Sequence, residues 1–320
     1  MDYKIYYYIK DVEKIMDGEY VPPVSCEIDP SNRCQLACSF CMYQKWRKEE
    51  LVDLDFEIYV GLLSDLKKDG TKSVTFTGGG EPLVHPNFNR MAYIARNMGF
   101  DIGLVTNGVA LDKVKEDLLS EFIFIRVSLD AASSEVYKAV KGVDYFDRVR
   151  QNIENLISRR KGIEKPTIGI SYVICNGNEK DVDTAKELAT QLKVDYIQFK
   201  PALTNGSKFN NFDFDTKGNM EAQTILTNRF VASDTLPCNV AGLVGIVAAT
   251  GKVYFCCQHR GHEEYVLGDL HEDQFHTIWK RRKDIVPKVN ECAPCRYMNY
   301  AKKCALILSD KFSQEHKNFL

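Results

Sequence analysis

Strand-like and helix-like segments alternate six times between residues 24 and 200 of this 320-residue chain. That alternation limits the fold more than any other feature. Val24 to Ile28, Ser73 to Thr77, Asp101 to Thr106, Phe122 to Ser128, Thr167 to Ile174 and Asp195 to Lys200 read as strands. Between them, Asp55 to Lys68 carries Phe56, Val60, Leu62, Leu63 and Leu66 at helical spacing. Further helical patterns run from Pro86 to about Met98, shortly after Asn107-Gly108, over Ser133 to Val140 and Tyr145 to Arg160, and from Glu179 to Leu192. Such alternation implies a parallel sheet with right-handed crossovers. A partial barrel and an open doubly wound sheet both satisfy it. In either, reactive groups gather at the carboxyl ends of the strands.

One such end holds Cys34-Gln35-Leu36-Ala37-Cys38-Ser39-Phe40-Cys41, between the first strand and the first long helix. Thiolates bind soft metals, so three in one short loop imply a metal rather than disulfides. Zinc knuckles draw their thiols from C-x2-C pairs, whereas this spacing is C-x3-C-x2-C with no fourth ligand nearby. Iron–sulfur clusters are held by runs of this kind, and a cubane with three protein ligands keeps one iron open. A structural zinc loop is the alternative.

The loop resembles the cluster motif of the radical S-adenosylmethionine (radical SAM) superfamily, in which an aromatic residue, here Phe40, precedes the third cysteine. The resemblance implies a partial (β/α)6 barrel with a 4Fe–4S cluster on Cys34, Cys38 and Cys41. S-adenosylmethionine would chelate the open iron, and its reductive cleavage would give a 5′-deoxyadenosyl radical that abstracts hydrogen. Gly78-Gly79-Gly80-Glu81-Pro82, after the second strand, matches the family's GGEP motif. By the same resemblance, Gly79, Gly80 and Glu81 contact the amine end of S-adenosylmethionine and Phe40 lies against its adenine. Glycines there let backbone approach a ligand closely. Asn107 ends the third strand, while Ser128 and Asp130 end the fourth, where the family often supplies ribose contacts. Capping of the following helix is the other reading for Ser128 and Asp130. Gln198 and Lys200 at the sixth strand's end are further candidates.

Of the eleven cysteines, six follow residue 237. Cys26 and Cys175, in expected strands, read as small buried hydrophobes. Cys238, Gly251, Cys256, Cys292 and Cys295 form the pattern C-x12-G-x4-C, a gap, then C-x2-C. It resembles the auxiliary-cluster domains called SPASM and, when shortened, twitch. That implies one auxiliary 4Fe–4S cluster on Cys238, Cys256, Cys292 and Cys295, with Cys257 able to replace Cys256. A four-thiol zinc site fits the same residues. Apolar runs on both sides of Thr250-Gly251 suggest a hairpin. The expected divisions are a lead-in over 1–23, the barrel over 24–200, a linker or lid over 201–237, the auxiliary domain over 238–307 and a tail over 308–320. His259, Arg260 and His262 read as a solvated loop, and Lys280-Arg281-Arg282-Lys283 as the solvated end of a helix.

A formal charge of −2 gives no electrostatic case for nucleic acid. No apolar stretch approaches the roughly 20 residues that span a bilayer, so no membrane partner is expected. The start lacks the apolar run of a signal peptide, and a cytoplasmic protein is expected. The resemblance points first to a radical dehydrogenase on a small polar substrate such as a sugar, aminocyclitol or nucleotide sugar. A low-potential donor of flavodoxin or ferredoxin type would feed it electrons. No peptide-docking domain is evident before Val24. An epimerase with Cys257 or Cys304 as hydrogen donor, a maturase of precursor peptides, and a non-catalytic metal-binding module are the alternatives.

Overall fold

The computed structural model describes residues 4–44, 51–202, 238–285 and 298–308. Cys292 and Cys295, the C-x2-C pair, lie outside the described residues, as does most of the expected linker or lid.

A 3-10 turn over Lys4–Tyr8 leads into α1 (Ile9–Met16), so the expected lead-in is helical. β1 (Ser25–Ile28) follows, then α2 (Phe56–Asp69). The Asp55 carboxylate caps α2 by accepting from the Glu57 and Ile58 N–H groups, and Gly70 ends it in the left-handed region at φ 88°. β2 (Ser73–Phe76), α3 (Phe88–Asn97), β3 (Asp101–Thr106), α4 (Glu116–Leu119) and β4 (Phe122–Ser128) continue the alternation. α5 (Ser134–Lys141), α6 (Phe146–Arg159), β5 (Thr167–Ile174), α7 (Val182–Gln191) and β6 (Tyr196–Pro201) complete it. Pro86 does not open α3. It stands two residues before the helix, after a separate 3-10 turn over Pro82–Val84. β1 to β6 pair in sequential order and all in parallel, the arrangement expected of βα units wound in one direction.

The C-terminal unit joins this sheet. β7 (Val244–Val247) and β8 (Lys252–Tyr254) form the expected hairpin, with Thr250 and Gly251 in its turn. β9 (Val266–Asp269) pairs antiparallel with β8. β7, however, also pairs in parallel with β1, so the sheet runs β6-β5-β4-β3-β2-β1-β7-β8-β9. β1 is thus an interior strand, and its burial on both faces matches that position. α8 (Phe275–Lys280) packs on α2: the Phe275 N–H donates to Asp65, and His276 Nδ1 lies 2.9 Å from Asp69. One hydrophobic cluster therefore contains Leu62, Phe76 and Leu104 together with Phe255, Phe275 and Trp279. The strands and α8 of this C-terminal unit are continuous with the barrel in both sheet and core.

α9 (Met298–Ile307) brings Cys304 into a smaller cluster with Ile5, Val12, Val21, Val240 and Leu243. Cys175, expected inside a strand, is buried one residue beyond β5. No helix among the described residues is long and apolar enough to cross a membrane.

Candidate functional site

The carboxyl ends of β1 to β6 surround a cavity of about 320 Å³. Its wall includes Cys34, Cys38, Phe40, Cys41 and Tyr43 from the thiol loop, then Gly78 to Glu81, Asn107, Ser128, Asp130, Lys141 and Lys200. Every expected ligand of the first cluster and every expected S-adenosylmethionine contact borders this one space. Gln198 does not line it.

The thiol loop is held from outside by the C-terminal end of α5. The Ala37 N–H donates to the Lys141 carbonyl and the Ser39 N–H to the Val140 carbonyl, each at 2.9 Å. Gly142, at φ 77°, ends α5 where a Cβ would stand 3.0 Å from Ala37. Two carbonyls left unpaired by the helix end thus become anchors for the loop.

Lys141 was not legible as a site residue. Its Nζ is buried, donates to the Ser128 carbonyl at 3.0 Å, pairs with the Asp130 carboxylate, and lies 5.5 Å from the Phe40 ring centre. Burial opposes its charge, but Asp130 and Cys38 outweigh that and hold its pKa up. The Cys38 thiol is pushed up to about 11 by burial, with Lys141 acting against that. Asp130 itself is in the left-handed region at φ 59° and fully buried. One oxygen takes Lys141, and the other accepts the Val173 N–H at 2.6 Å. The cap of α5 is Ser133, whose hydroxyl accepts the Val136 N–H. Neither Asp130 nor Ser128 performs the capping role.

The glycine run behaves differently from expectation. A Cβ on Gly80 would stand 2.4 Å from the Arg33 carbonyl oxygen and the Asn32 carbonyl carbon. The close backbone approach at Gly80 is therefore to the chain's own 31–33 segment. The Gly79 N–H donates to Asp29 at 2.9 Å. Glu81 is buried, and its carboxylate accepts from the Thr106 hydroxyl at 2.6 Å, the Asn107 N–H at 2.7 Å and the Leu83 N–H at 3.1 Å. Burial raises its pKa, and the Asn107, Thr106 and Leu83 bonds lower it. Glu81 thereby ties the loop after β2 to the end of β3. Asn107 Nδ2 points at Cys34 Sγ, 3.7 Å away.

The C-terminal unit reaches the same site. Arg260 is buried, as is His259, so the expected solvated loop is instead an internal contact. Arg260 Nε lies 3.1 Å from Asp29 Oδ2, its Nη2 3.5 Å from Glu27, and its Nη1 donates to Tyr43 Oη at 3.2 Å. The Tyr43 hydroxyl donates to the Cys257 carbonyl at 3.2 Å. His259 stacks on Tyr265 at 3.8 Å with its Nδ1 3.1 Å from Cys256 Sγ. His262 remains partly exposed. A polar residue ending β1, such as Asp29, was the only sequence signal for this network.

The donor chemistry fits an iron–sulfur group. No three Cys, His, Asp or Glu side chains among the described residues stand close enough to hold a single metal ion. Cys34, Cys38 and Cys41 all border the one cavity, and cysteine runs of this kind hold iron–sulfur clusters. An amide donor at Cys34 and the Lys141 charge near Cys38 suit the negative charge of such a cluster.

The sequence model of the radical SAM superfamily matches residues 28–189. The chain belongs to that superfamily. A model described as an iron–sulfur cluster-binding domain, SPASM, matches residues 238–305. Radical SAM domains bind S-adenosylmethionine and a 4Fe–4S cluster, and SPASM domains bind auxiliary iron–sulfur clusters. A tungsten-containing aldehyde ferredoxin oxidoreductase cofactor-modifying protein of Pyrococcus furiosus is 30% identical over 176 residues, covering 52% of this chain and 48% of that protein. Fe-coproporphyrin III synthase of Methanosarcina barkeri is 26% identical over 205 residues, 62% and 49% of the two chains. The chain thus spans about half the length of these curated radical SAM relatives. Among solved structures, native anSMEcpe with bound AdoMet superposes with a TM-score of 0.64 at 18% identity over 88% of each chain. Streptococcus suis SuiB bound to precursor peptide SuiA gives 0.63 at 15%, covering 85% of this chain and 68% of that one. These likenesses show the radical SAM fold.

Proposed function

We propose that this radical SAM enzyme is a dehydrogenase of a small polyhydroxylated substrate, of sugar, aminocyclitol or nucleotide-sugar type. The observation that carries the reading is the hydrogen bond from Tyr43 to the Cys257 carbonyl. Tyr43 lines the cavity, and Cys257 adjoins Cys256, an expected ligand of the auxiliary cluster. An auxiliary cluster held through Cys256 would lie close to the chamber wall, where it would accept one electron from substrate.

Cys34, Cys38 and Cys41 would hold the first cluster, and Cys238 and Cys256 would give two ligands of the second, joined by Cys292 and Cys295. When bound, the cofactors would supply a 5′-deoxyadenosyl radical as hydrogen abstractor and an iron–sulfur acceptor for one electron. The substrate's carbinol would give up one hydrogen atom, one proton to solvent and one electron, and become a carbonyl. Phe40 would pack on the adenine. Ser128 would contact the ribose, with Asp130 positioning it through Lys141, which binds both residues. Glu81 and the Gly79 N–H are engaged by protein, so the amine of S-adenosylmethionine would be received by main-chain carbonyls of the glycine run. Lys200 adds a polar group to the wall at β6. A low-potential flavodoxin- or ferredoxin-type protein would reduce the first cluster.

Anaerobic turnover against a panel of aminocyclitols and nucleotide sugars tests this. The expected product has two hydrogens fewer than substrate, with one 5′-deoxyadenosine formed per product. Products of unchanged oxidation state would sink the dehydrogenase reading.

Peptide maturation is the second reading. It is supported by neighbours of the same fold, one bound to a precursor peptide and one to a Cp18Cys peptide. Coexpression with a candidate precursor and mass spectrometry of the peptide would separate the two. Epimerisation is less well supported. Cys304 does not line the cavity and is packed beside Cys238. Only Cys257 stays near the cavity, and a deuterium on carbon after turnover in heavy water would be its mark.

A further inference from the structure

Arg282 lies in the basic run expected to be solvated. Lys280, Arg281 and Lys283 are exposed, but the Arg282 guanidinium turns inward. It lies 4.4 Å from the Phe255 ring centre and 6.0 Å from that of Trp279. Gly242 makes room for it: a Cβ there would stand 3.1 Å from the guanidinium carbon. Gly242 belongs to the 3-10 turn Asn239–Leu243, for which Cys238 is the N-terminal cap residue.

Nε and Nη2 of Arg282 are buried, and neither has a hydrogen-bond partner among the described residues. Of the nearby acidic side chains, Asp273 pairs with Arg281 and Asp269 with His271, while Glu19 shares a pocket wall with Arg282 and Asp284 is exposed; none of the four forms a hydrogen bond or ion pair with Arg282 among the described residues. The groups whose charge, once ionised, acts on Arg282 are the thiols of Cys238 and Cys256. Burial pulls the guanidinium pKa down to about 10, and the two thiols push against that. A buried cation with unsatisfied donors is strongly unfavourable unless an anion with acceptor atoms completes it. An iron–sulfur cluster bound through the Cys238 and Cys256 thiolates would be such an anion, and sulfur accepts N–H donors.

We propose that Arg282 is the counter-cation of the auxiliary cluster. Its Nε and Nη2 donate to the cluster's sulfur atoms, and it raises the cluster's reduction potential so that the cluster accepts an electron from substrate. The inference rests on Cys238 and Cys256 being ligands of that cluster. A fixed positive charge and N–H···S bonds both favour the more negative, reduced state. Arg282 does not line the cavity, so its role is one of tuning rather than of substrate contact.

The test uses the full chain reconstituted without oxygen, with Arg282→Met and Arg282→Lys beside the parent. Iron and sulfide are counted, and the midpoint potential of each cluster is read by EPR-monitored titration. Arg282→Met should keep both clusters and shift only the auxiliary midpoint downward. Reductive formation of 5′-deoxyadenosine without substrate should be unaltered. Arg282→Lys should recover part of the shift, because the charge returns without the planar donor pair. If Met loses the second cluster, the Lys variant carries the same measurement. Unshifted auxiliary midpoints at full iron content overturn the tuning role and leave the cluster assignment standing. Loss of the second cluster from both variants overturns it in favour of a structural anchor. A parent chain that binds only one cluster removes the reading on which the proposal depends.

Discussion

Arg260 Nε and Asp29 Oδ2 face each other at 3.1 Å inside the protein, and the same Asp29 oxygen accepts the Gly79 N–H at 2.9 Å. A cation from the C-terminal unit thus fixes the first glycine loop of the barrel through one carboxylate. Arg260→Met would leave Asp29 and Glu27 as buried carboxylates without their cation. Breaking a buried pair from one side costs about 3–5 kcal/mol. The expected outcome in a denaturant titration is a loss of that order, with S-adenosylmethionine affinity reduced as the loop loosens. Arg260→Lys should recover little of it, since one ammonium cannot serve Asp29, Glu27 and Tyr43 in their planar arrangement. Unchanged stability and affinity in Arg260→Met would show the contact to be incidental.

Burial pushes the Asp29 carboxyl up to about 6, against Arg260 and the Gly79 N–H, while the charge of Glu27 adds to the rise. In the unfolded chain it would titrate near 4. Between those values the folded protein holds more protons at Asp29 than the unfolded one. Its contribution to stability is therefore full below about pH 4 and is lost as pH rises to about 6, by on the order of 2–3 kcal/mol. Unfolding free energies of the parent minus those of Asp29→Asn, taken across pH 4 to 7, should show that fall. A rise with pH in the difference would contradict it.

Gly80→Ala places a Cβ 2.4 Å from main-chain atoms of residues 32 and 33, which cannot rotate away. A destabilisation of about 1–3 kcal/mol is expected, as for other overpacked positions. Binding of S-adenosylmethionine by equilibrium dialysis should weaken with it. Gly61→Ala, in open space and like Gly80 not at positive φ, is the control and should not destabilise.

Glu81→Gln replaces an acceptor of three donors by an amide that must turn an NH2 group toward at least one of them. Leaving a buried donor unsatisfied costs about 1–3 kcal/mol. Thermal denaturation should report it, whereas Glu81→Ala should be worse because all three donors lose their partner.

The two thiol sets should separate by function. Alanine at Cys34, Cys38 and Cys41 should abolish S-adenosylmethionine cleavage and remove one cluster's share of iron. Alanine at Cys238 and Cys256 should leave cleavage by chemically reduced protein and abolish substrate oxidation. If both sets abolish cleavage equally, the division of labour is wrong.

Much of this arrangement was legible in one dimension. Thiolate chemistry at C-x3-C-x2-C, the glycine run and the six apolar repeats depend on spacing along the chain. β3, β4 and β5 accordingly fall where the pattern put them. Lys141, Arg260 and Arg282 were illegible because a cation on a helix or loop looks solvated until its acceptors are known. The partners of Lys141 and Arg260 lie between 11 and 233 residues away.

The six strands alternating with helices, and the three thiols gathered in the loop after the first, follow from the sequence, since local periodicity and short-range spacing dictate both; the sequential order of the strands was decided by the tertiary structure. Only the tertiary structure decided that β7 would pair with β1 rather than begin a separate unit. It also decided that Asp130, Glu81 and Asp29 would spend their charge on protein donors. The reason is physical: a buried carboxylate must be satisfied by whichever donors packing brings to it, and packing is a property of the whole chain.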